Sequence, residues 1–272
     1  MLLNEKWLEG VNSVPDSGQI ALVTGASRGI GAEVATQLAA LGYHVIINYR
    51  EKAKRANAIV DAIRGAGGSA TAMQADLINE DAVETMFANL ADRFGRVDAL
   101  VLNASGGLER GANPDYAQQL NHDAQLRLAR LALPLMPEGG RIVFVTSHQA
   151  HFHGKKPVPP LYLPIAASKR AGEDALRQMR PLLDQHGIKL VVVSGDMIDG
   201  TIIVRLHERQ EPGATAARRA AAGHLPTIPE FAQAIVGAVS NPTPAETIYV
   251  GGRDYLAETH PGGVNDPSAS QI

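Results

Sequence analysis

The chain has 272 residues, 45% of them hydrophobic, and its 25 basic and 28 acidic side chains give a formal net charge of −3 at pH 7. This composition predicts a globular protein with a sizeable core and argues against disordered, collagen-like and coiled-coil chains. A dedicated nucleic-acid-binding protein would need a more basic surface, so no nucleic-acid partner is expected.

The sequence contains no Cys. This excludes disulfides, thiolate metal sites and cysteine nucleophiles, and it predicts a cytoplasmic location. The longest apolar runs are far shorter than the roughly 20 residues that span a bilayer, so no membrane partner is expected. Glu5 and Glu9 interrupt the stretch that a signal peptide would keep apolar, which predicts an arm before the first strand instead.

Apolar, β-branched runs alternate with helical patterns along the chain. In chain order, strands are predicted at 20–24, 44–48, 69–74, 99–103, 141–146, 189–193 and 247–250, and helices at 29–41, 52–66, 79–93, 114–135, 164–185 and 229–240. Residues 190–193 are apolar on both faces, as expected for a strand buried between helical layers. The alternation predicts an α/β fold, with residues 1–272 forming a single doubly wound Rossmann domain around a parallel sheet.

Two segments interrupt this alternation, and the chain ends in a polar tail. Residues 148–163 contain three His and three Pro and predict a loop. Residues 196–228 predict short helices that form a small lid over a site. The arginines of this lid either meet an acidic or extended substrate or lie on a solvated helix face, which is the commoner arrangement: Arg205, Arg209, Arg218 and Arg219. The Gly-, Pro- and Ser-rich tail after His260 is predicted to be mobile.

A glycine-rich turn follows the first predicted strand and opens the first predicted helix, with the sequence Thr24-Gly25-Ala26-Ser27-Arg28-Gly29-Ile30-Gly31. Glycines in such a turn let the backbone approach a pyrophosphate at the helix N-terminus. The spacing resembles the Thr-Gly-x-x-x-Gly-x-Gly turn of the short-chain dehydrogenases/reductases.

This resemblance extends from about Gln19 to Gly252. Asp76-Leu77 is similar to the family's adenine-contacting pair, and Asn103-Ala104-Ser105-Gly106 to its Asn-Asn-Ala-Gly turn. Asn121 matches a helix-bending Asn, Ser147 the catalytic Ser, and Ser168-Lys169 the end of the Tyr-x-x-Ser-Lys motif. The resemblance implies Ser147, Lys169 and Asn121 as catalytic residues. Alternatively, Ser147 merely ends its strand, Lys169 only holds the nicotinamide ribose through its hydroxyls, and Asn121 only bends its helix. It implies cofactor contacts at Gly25, Ser27, Arg28, Gly29, Ile30, Gly31, Asp76, Leu77, Asn103, Ala104, Ser105, Gly106, Ile198 and Thr201.

The end of the second predicted strand indicates which nicotinamide cofactor is used. Enzymes of this type that use NAD place an Asp there, where the carboxylate would repel a 2′-phosphate. This chain has Asn48, Tyr49 and Arg50 instead. Arg28 and Arg50 could bind one phosphate together through charge-assisted hydrogen bonds, although both could also be solvated. We therefore expect NADPH/NADP+ as cofactor, with Asn48, Tyr49 and Arg50 among its contacts.

The family pattern fails at the proton donor, a Tyr four residues before the Lys. That spacing would place both side chains on one helix face, where the ammonium lowers the pKa of the phenol. In this chain the position is occupied by Ile165, which cannot donate a proton.

Several groups could supply the proton instead. Tyr162 lies three residues earlier, just outside the helix that Pro164 is expected to open. Even on an ideal extension of that helix it would be displaced by about 4.5 Å along the axis, and it could also be a pocket-lining aromatic residue. His148 could act as a general acid, although a hydrogen-bonded loop residue is the commoner role. Water or a phenol beside the substrate ketone could also provide the proton. The spacing of His148, His151 and His153 does not predict a metal site, because no further ligand lies nearby in sequence.

The departures from the Tyr pattern resemble reductases of polycyclic aromatic polyketides, including those of angucyclinones. We therefore expect NADPH-dependent reduction of a polycyclic ketone, with Ser147, His148, Tyr162, Ile165 and Met197 at the substrate. A homo-oligomer is compatible with the sequence. The alternative is a catalytically silent NADP-binding sensor or scaffold, since such a protein would also lack the donor Tyr.

Overall fold

The computed structural model describes residues 18–107, 113, 115–210, 212–257 and 269–271. Its strands are β1 Ile20–Val23, β2 His44–Tyr49, β3 Ser69–Gln74, β4 Ala99–Leu102, β5 Arg141–Ser147, β6 Lys189–Gly195, β7 Thr247–Val250 and β8 Ala269–Gln271. They form one parallel sheet in the order β3-β2-β1-β4-β5-β6-β7-β8. The chain reverses its direction of travel across the sheet between β1 and β4. The predicted doubly wound α/β fold is confirmed.

Helices connect the strands and cover both faces of the sheet. They are α1 Gly29–Ala40, α2 Ala53–Gly65, α3 Glu80–Phe94, α4 Tyr116–Gln118, α5 Ala124–Ala132, α6 His148–His151, α7 Leu163–Gln178, α8 Arg180–Gln185, α9 Ile202–Gln210, α10 Ala214–Ala222, α11 Ile228–Ser240 and α12 Arg253–Ala257. A π-helical turn, Gln119–Asp123, joins α4 to α5, and 3₁₀ turns form at Leu133–Leu135 and Pro160–Tyr162.

Alternate side chains of each strand enter two separate cores, because successive residues of a strand point to opposite faces. In β1, Ala21 and Val23 pack in the layer of α1, α2 and α11. Ile20 and Leu22 pack in the layer of α3, α5 and α7. Both faces are therefore buried, which explains why the strands read as nearly continuous apolar runs.

Two predicted helices are each interrupted in the structure. The helix predicted at 114–135 is interrupted by the π-helical turn, and the Asn121 that the resemblance identifies as helix-bending lies within that turn. The helix predicted at 164–185 ends at Gln178 and resumes as α8. Pro181 accounts for this break, because proline has no N–H to donate and its ring clashes with the preceding turn.

The structure corrects two predictions in part, the loop at 148–163 and the mobile tail after His260. Residues 148–163 contain α6 and the 3₁₀ turn at Pro160–Tyr162 rather than a simple loop. In the tail predicted to be mobile, Ala269–Gln271 pairs with β7 as an eighth strand. The predicted N-terminal arm and residues 261–268 lie outside the described residues. Among the helices that are described, none combines the length and the apolar character that crossing a bilayer requires.

One glycine sets how closely α7 approaches the π-helical turn. A Cβ on Gly172 would lie 2.2 Å from the carbonyl oxygen of Asn121, far inside van der Waals contact. We expect Gly172→Ala to lower the free energy of unfolding by about 1–3 kcal/mol, because the backbone of one element must move. Urea denaturation measures this change.

Gly237→Ala is the matched control, since this glycine is also helical and its added Cβ would meet no atom within 4 Å. There the substitution should be neutral or stabilise by up to about 1 kcal/mol. Equal effects at the two positions would contradict the close approach of α7.

Candidate active site

The predicted site residues lie mainly at the carboxyl edge of the sheet. Thr24–Arg28 follow β1, Asn103–Gly107 follow β4, Ser147 ends β5, and the segment 196–201 follows β6. Ligands of open α/β sheets bind at this edge, beside the point where the strand order reverses. That point lies between β1 and β4, so the glycine-rich turn adjoins it.

A buried threonine joins the turns that follow β1 and β4. The hydroxyl of Thr24 donates to the carbonyl of Val101 at 3.1 Å and accepts from the backbone N–H groups of Asn103 at 2.9 Å and Ala104 at 3.0 Å. The Asn103 side chain returns a hydrogen bond to the Thr24 carbonyl at 2.8 Å. These contacts hold the two predicted cofactor-binding turns together.

The glycines of the first turn have distinct roles. A Cβ on Gly25 would lie 3.1 Å from the Cα of Ala104, and one on Gly31 would lie 2.6 Å from the Asn103 side chain and 2.8 Å from the Gly25 carbonyl oxygen. Gly29 has φ +57°, a conformation that favours glycine. Ser27 and Ile30 are half-buried beside these glycines.

The positive end of α1 is open to an anion. Its N-cap residue, Arg28, is exposed and makes no capping bond through its side chain, and the first turn contains no acidic residue. The first N–H groups of a helix have no partners within the helix, and its dipole favours negative charge there. This arrangement fits the phosphate contact that the glycine-rich turn predicts.

The three residues at the end of β2 differ in their availability to a ligand. Asn48 is buried, and its side chain accepts from the Gly25 N–H at 3.2 Å and donates to the Ala75 carbonyl at 3.2 Å. This bracing role disfavours the predicted side-chain contact with cofactor. Tyr49 is half-buried, whereas Arg50 is more exposed and contacts the Tyr116 hydroxyl at 2.5 Å and Glu51 at 3.0 Å. Arg50 would have to exchange these partners to bind a phosphate.

The turns after β3 and β4 present mostly backbone and small side chains. Asp76 is half-buried and accepts from the N–H of Ile78 at 3.3 Å, while the Leu77 side chain packs in the core. Asn103, Ala104 and Gly106 are half-buried, and Ser105 is exposed.

Asn121 connects the β4 turn to α7. Its amide donates to the Gly106 carbonyl and to the Ser168 hydroxyl, both at 3.0 Å, and its side-chain oxygen accepts from the Gly106 N–H at 3.3 Å. The Ser168 hydroxyl donates in turn to the Ile165 carbonyl at 3.1 Å. Asn121 is thus a buried positioning residue between two parts of the site.

Ser147 and Tyr162 meet across the site. Their hydroxyl oxygens are 3.2 Å apart, and Ser147 also accepts from the Ala150 N–H at 3.3 Å as the N-cap of α6. Burial raises the pKa of Tyr162, while the hydrogen bond to Ser147 acts to lower it. Of the candidate proton donors in the sequence, Tyr162 is the one placed against the predicted catalytic Ser.

Ile165 and Lys169 lie one turn apart on the buried side of α7. Ile165 is 3% exposed and packs close to Gly107. Lys169 is 8% exposed, and burial lowers its pKa to about 8. Within the described part of the chain its ammonium has no hydrogen-bond or ion-pair partner, which leaves it available to a bound group.

His148 does not face the open part of the site. Its Nε2–H donates to the Gly251 carbonyl at 3.1 Å, so its Nδ1 accepts from the Ser194 hydroxyl at 2.8 Å. Burial lowers the pKa of His148 to about 4. A neutral ring with both nitrogens engaged disfavours the predicted substrate contact and the general-acid role.

His151 belongs to a buried ionic network that sequence reasoning missed. Its ring contacts the carboxylate of the fully buried Glu173 at 2.9 Å and the Tyr249 hydroxyl at 2.9 Å. Arg177 also pairs with Glu173 at 2.9 Å. Burial acts to raise the pKa of Glu173, but His151, Arg177 and Arg170 together hold it below its ordinary value. The network ties α6 to α7, and no group of metal ligands forms among the described residues.

The segment after β6 contributes packing more than free polar groups. Ile198 is buried beside Phe231, and the Thr201 hydroxyl donates to the Ile198 carbonyl at 2.9 Å just before α9. These contacts disfavour the predicted cofactor roles of Ile198 and Thr201. Met197 is half-buried.

Three of the four lid arginines have protein partners for their side chains. Arg218 donates to both carboxylate oxygens of Asp196 and of Asp254, at 2.6–3.1 Å. Arg219 pairs with Asp199 at 2.8 Å, and Arg209 donates to the carbonyl of Arg205 at 3.2 Å. Arg218 therefore fastens α10 to the segment after β6 and to α12, and neither arrangement expected from the sequence describes it.

A comparison with known families identifies the chain. Residues 19–211 match the model of short chain dehydrogenases. The chain belongs to the short-chain dehydrogenase/reductase family. The family predicted from the sequence is confirmed.

Two related short-chain reductases show how far the similarity extends. The 1-cyclohexenylcarbonyl-CoA reductase of Streptomyces collinus is 34% identical over 190 residues, which are 68% of this chain and 66% of that protein. A hydroxynaphthalene reductase of Aspergillus fumigatus is 39% identical over 140 residues, 49% of this chain and 51% of that protein. The matched part of this family member thus spans about half to two thirds of these relatives.

Solved structures of the family are similar over more of the chain. A short chain dehydrogenase from Burkholderia cenocepacia in complex with NADP is 30% identical, with a TM-score of 0.72, over 85% of this chain and 94% of that one. The angucycline C-6 ketoreductase LanV with bound NADP is 27% identical, with a TM-score of 0.68, over 83% of this chain and 90% of that one.

The buried Lys169 of this short-chain dehydrogenase/reductase carries a stability cost that can be measured. Because its pKa falls from 10.5 to about 8 on folding, burial of the charged form costs about 3 kcal/mol at pH 7. We expect Lys169→Met to raise the free energy of unfolding at pH 7 by up to that amount. The gain should shrink as pH rises through about 8 towards 10, because the neutral amine is then buried without this cost.

Urea denaturation at the two ends of this pH range provides the measurement. Lys54→Met on α2 is the control, because its side chain is exposed and its replacement should change stability by less than about 0.5 kcal/mol at either pH. A Lys169→Met gain that does not depend on pH would show that the ammonium is not the source of the cost.

Proposed function

We propose that this chain is an NADPH-dependent ketoreductase that reduces a ketone on a polycyclic aromatic polyketide of angucyclinone type. The observation that carries this proposal is the contact between the Ser147 and Tyr162 hydroxyls, at the sheet edge shared with the glycine turn and directly before the helix that carries Lys169. Similarity to LanV, to a hydroxynaphthalene reductase and to a versicolorin reductase of Emericella nidulans supports the substrate class.

The residues present fit a nicotinamide dinucleotide. The uncapped N-terminus of α1 and its glycine turn would hold the pyrophosphate, and Arg28 and Arg50 would meet the 2′-phosphate. Lys169, buried and without a partner among the described residues, would donate to the ribose hydroxyls. When bound, NADPH supplies the hydride for carbonyl reduction.

Exposed apolar side chains favour a large apolar substrate. Leu161 and Leu163 are 46% and 47% exposed before and at the start of α7, and Ile202 and Ile203 are 42% and 46% exposed on the first turn of α9. Both segments follow the carboxyl ends of adjacent strands, β5 and β6. A flat polycycle would remove such surfaces from water, which is favourable by about 25 cal/mol per Å².

Ser147 would donate a hydrogen bond to the ketone oxygen and so stabilise the negative charge that develops there. Ile165 provides an apolar wall and no proton. The sequence leaves several proton sources open, among them water, a phenol beside the ketone of the substrate and, within the protein, Tyr162.

Cofactor choice is tested at the two arginines. We expect Arg28→Ala and Arg50→Ala each to weaken NADPH binding about tenfold, the loss of roughly 1.4 kcal/mol of charge-assisted hydrogen bonding, and to leave NADH binding unchanged. Quenching or transfer of nicotinamide fluorescence measures both affinities. Arg130→Ala, at an exposed position of α5, makes the same change in net charge and should have no effect. Preference of the wild-type protein for NADH would overturn the choice of NADPH.

The reaction is tested with purified protein, NADPH and a panel of ketones that includes tetracyclic ketones with a neighbouring phenol. We expect turnover of the phenol-flanked polycycles, with slower turnover of small isolated ketones. If the substrate phenol gives the proton, its O-methylation should abolish turnover. NADPH binding without turnover of any ketone would contradict the reductase and favour the sensor or scaffold.

A further inference from the structure

The position of Tyr162 distinguishes between the two proton sources. Its hydroxyl lies 3.2 Å from that of Ser147, although it is seven residues before Lys169 rather than four. Ser147 is itself fixed as the N-cap of α6 and as the last residue of β5. The fold therefore holds the two hydroxyls next to each other.

Prolines on both sides hold the backbone of Tyr162. Pro160 opens the 3₁₀ turn, and the Tyr162 N–H donates to the Pro159 carbonyl at 2.9 Å. Pro164 lies in the first turn of α7, where its fixed φ favours the helical conformation. The neighbouring Leu161 and Leu163 are exposed, while Tyr162 is partly buried. The turn thus directs this one hydroxyl inward, and little conformational freedom remains to be lost when substrate binds.

We propose that Tyr162 is a catalytic residue of this reductase and donates the proton to the ketone oxygen, in place of a substrate phenol. This inference rests on the proposed ketoreduction. Ile165 cannot serve, and both ring nitrogens of His148 are engaged by Ser194 and Gly251. A substrate oxygen that reaches Ser147 would therefore also lie within reach of the Tyr162 hydroxyl.

When bound, NADPH would supply a hydride to the carbonyl carbon and be oxidised to NADP+, and the electron pair of the C=O π bond would remain on oxygen. That oxygen forms a new O–H bond as the O–H bond of Tyr162 breaks. The resulting tyrosinate takes a proton from solvent and returns to the phenol. Ser147 donates to the same oxygen without losing its proton.

The separation of Tyr162 from Lys169 changes how the donor is tuned. Tyr162 lies in the 3₁₀ turn before α7, outside the helix that carries Lys169. No hydrogen bond joins the Tyr162 hydroxyl to the Lys169 ammonium in the described part of the chain. Burial raises the pKa of Tyr162, so the phenol is expected to stay protonated at neutral pH. Tyr162 and Lys169 therefore divide between them the proton-donating and cofactor-holding roles.

The test combines two changes, Tyr162→Phe in the protein and O-methylation of the phenol in the substrate. We expect Tyr162→Phe to lower kcat about 10²–10⁴-fold on both the free and the methylated substrate. We expect methylation alone to leave kcat of the wild-type protein within a few-fold. NADPH affinity, measured by fluorescence, and thermal stability should be unchanged in Tyr162→Phe. The titration of tyrosine absorbance with pH should lose a late-titrating component.

Tyr43→Phe is the matched control, since Tyr43 is also a buried tyrosine, outside the site, with a raised pKa; it should keep wild-type kcat. Wild-type turnover in Tyr162→Phe would overturn the inference and assign the proton to the substrate or to water. An equal loss of NADPH affinity or stability would also overturn it, because it would show a structural role. If the wild-type protein reduces no ketone at all, the proposed function itself fails, which is a separate result.

Discussion

The site depends on the close approach of two backbone turns at the point where the sheet reverses direction. Thr24 bridges the turns after β1 and β4. The backbone is packed so closely at Gly25 and Gly31 that a side chain at either position would collide with neighbouring atoms. Because this seam is made of backbone and one hydroxyl, it leaves the N-terminus of α1 uncovered. A larger residue at either glycine would force the turns apart and disturb the loop in which the N-terminus of α1 offers N–H groups to an anion.

The second constraint is the placement of α7, which carries Ile165 and Lys169. Its inner side is held at Gly172 against Asn121, whose amide also binds the β4 turn. The next residue of α7, Glu173, contacts His151 and so connects α7 to α6. Since Ser147 is the N-cap of α6, buried polar contacts fix its position relative to the residues on α7. Removing one partner of such a contact leaves the other buried without compensation, which lowers the stability of the fold. The contacts therefore favour one relative placement of α6 and α7.

The sequence predicted the alternation of strands and helices, because strands buried on both faces and helices with one apolar side leave strong periodic signals. The glycine turn, Ser147 and Lys169 were identified from motif spacing. The sequence could not predict the hydrogen bonds made by the side chains of His148, Asn48 and Arg218. Their partners are distant in sequence and belong to no recognisable motif. Nothing in the sequence around Tyr249 indicates that its hydroxyl contacts His151. The sequence offered Tyr162 as one of several proton donors. Its contact with Ser147 depends on the path of the backbone through Pro159 and Pro160, which the sequence does not show.

The proposed role of Tyr162 has a consequence for the shape of the site as well as for its chemistry. A tyrosine at position 165 would place a phenol one turn before Lys169, whereas Ile165 leaves an apolar surface there, and the hydroxyl that meets Ser147 comes from the 3₁₀ turn before α7. A ketone oxygen bound to this pair of hydroxyls would lie close to the segment that carries the exposed Leu161 and Leu163. A polycyclic substrate would remove more of this apolar surface from water than a small ketone would. The displacement of the donor and the selection of a large aromatic substrate would therefore have the same structural cause.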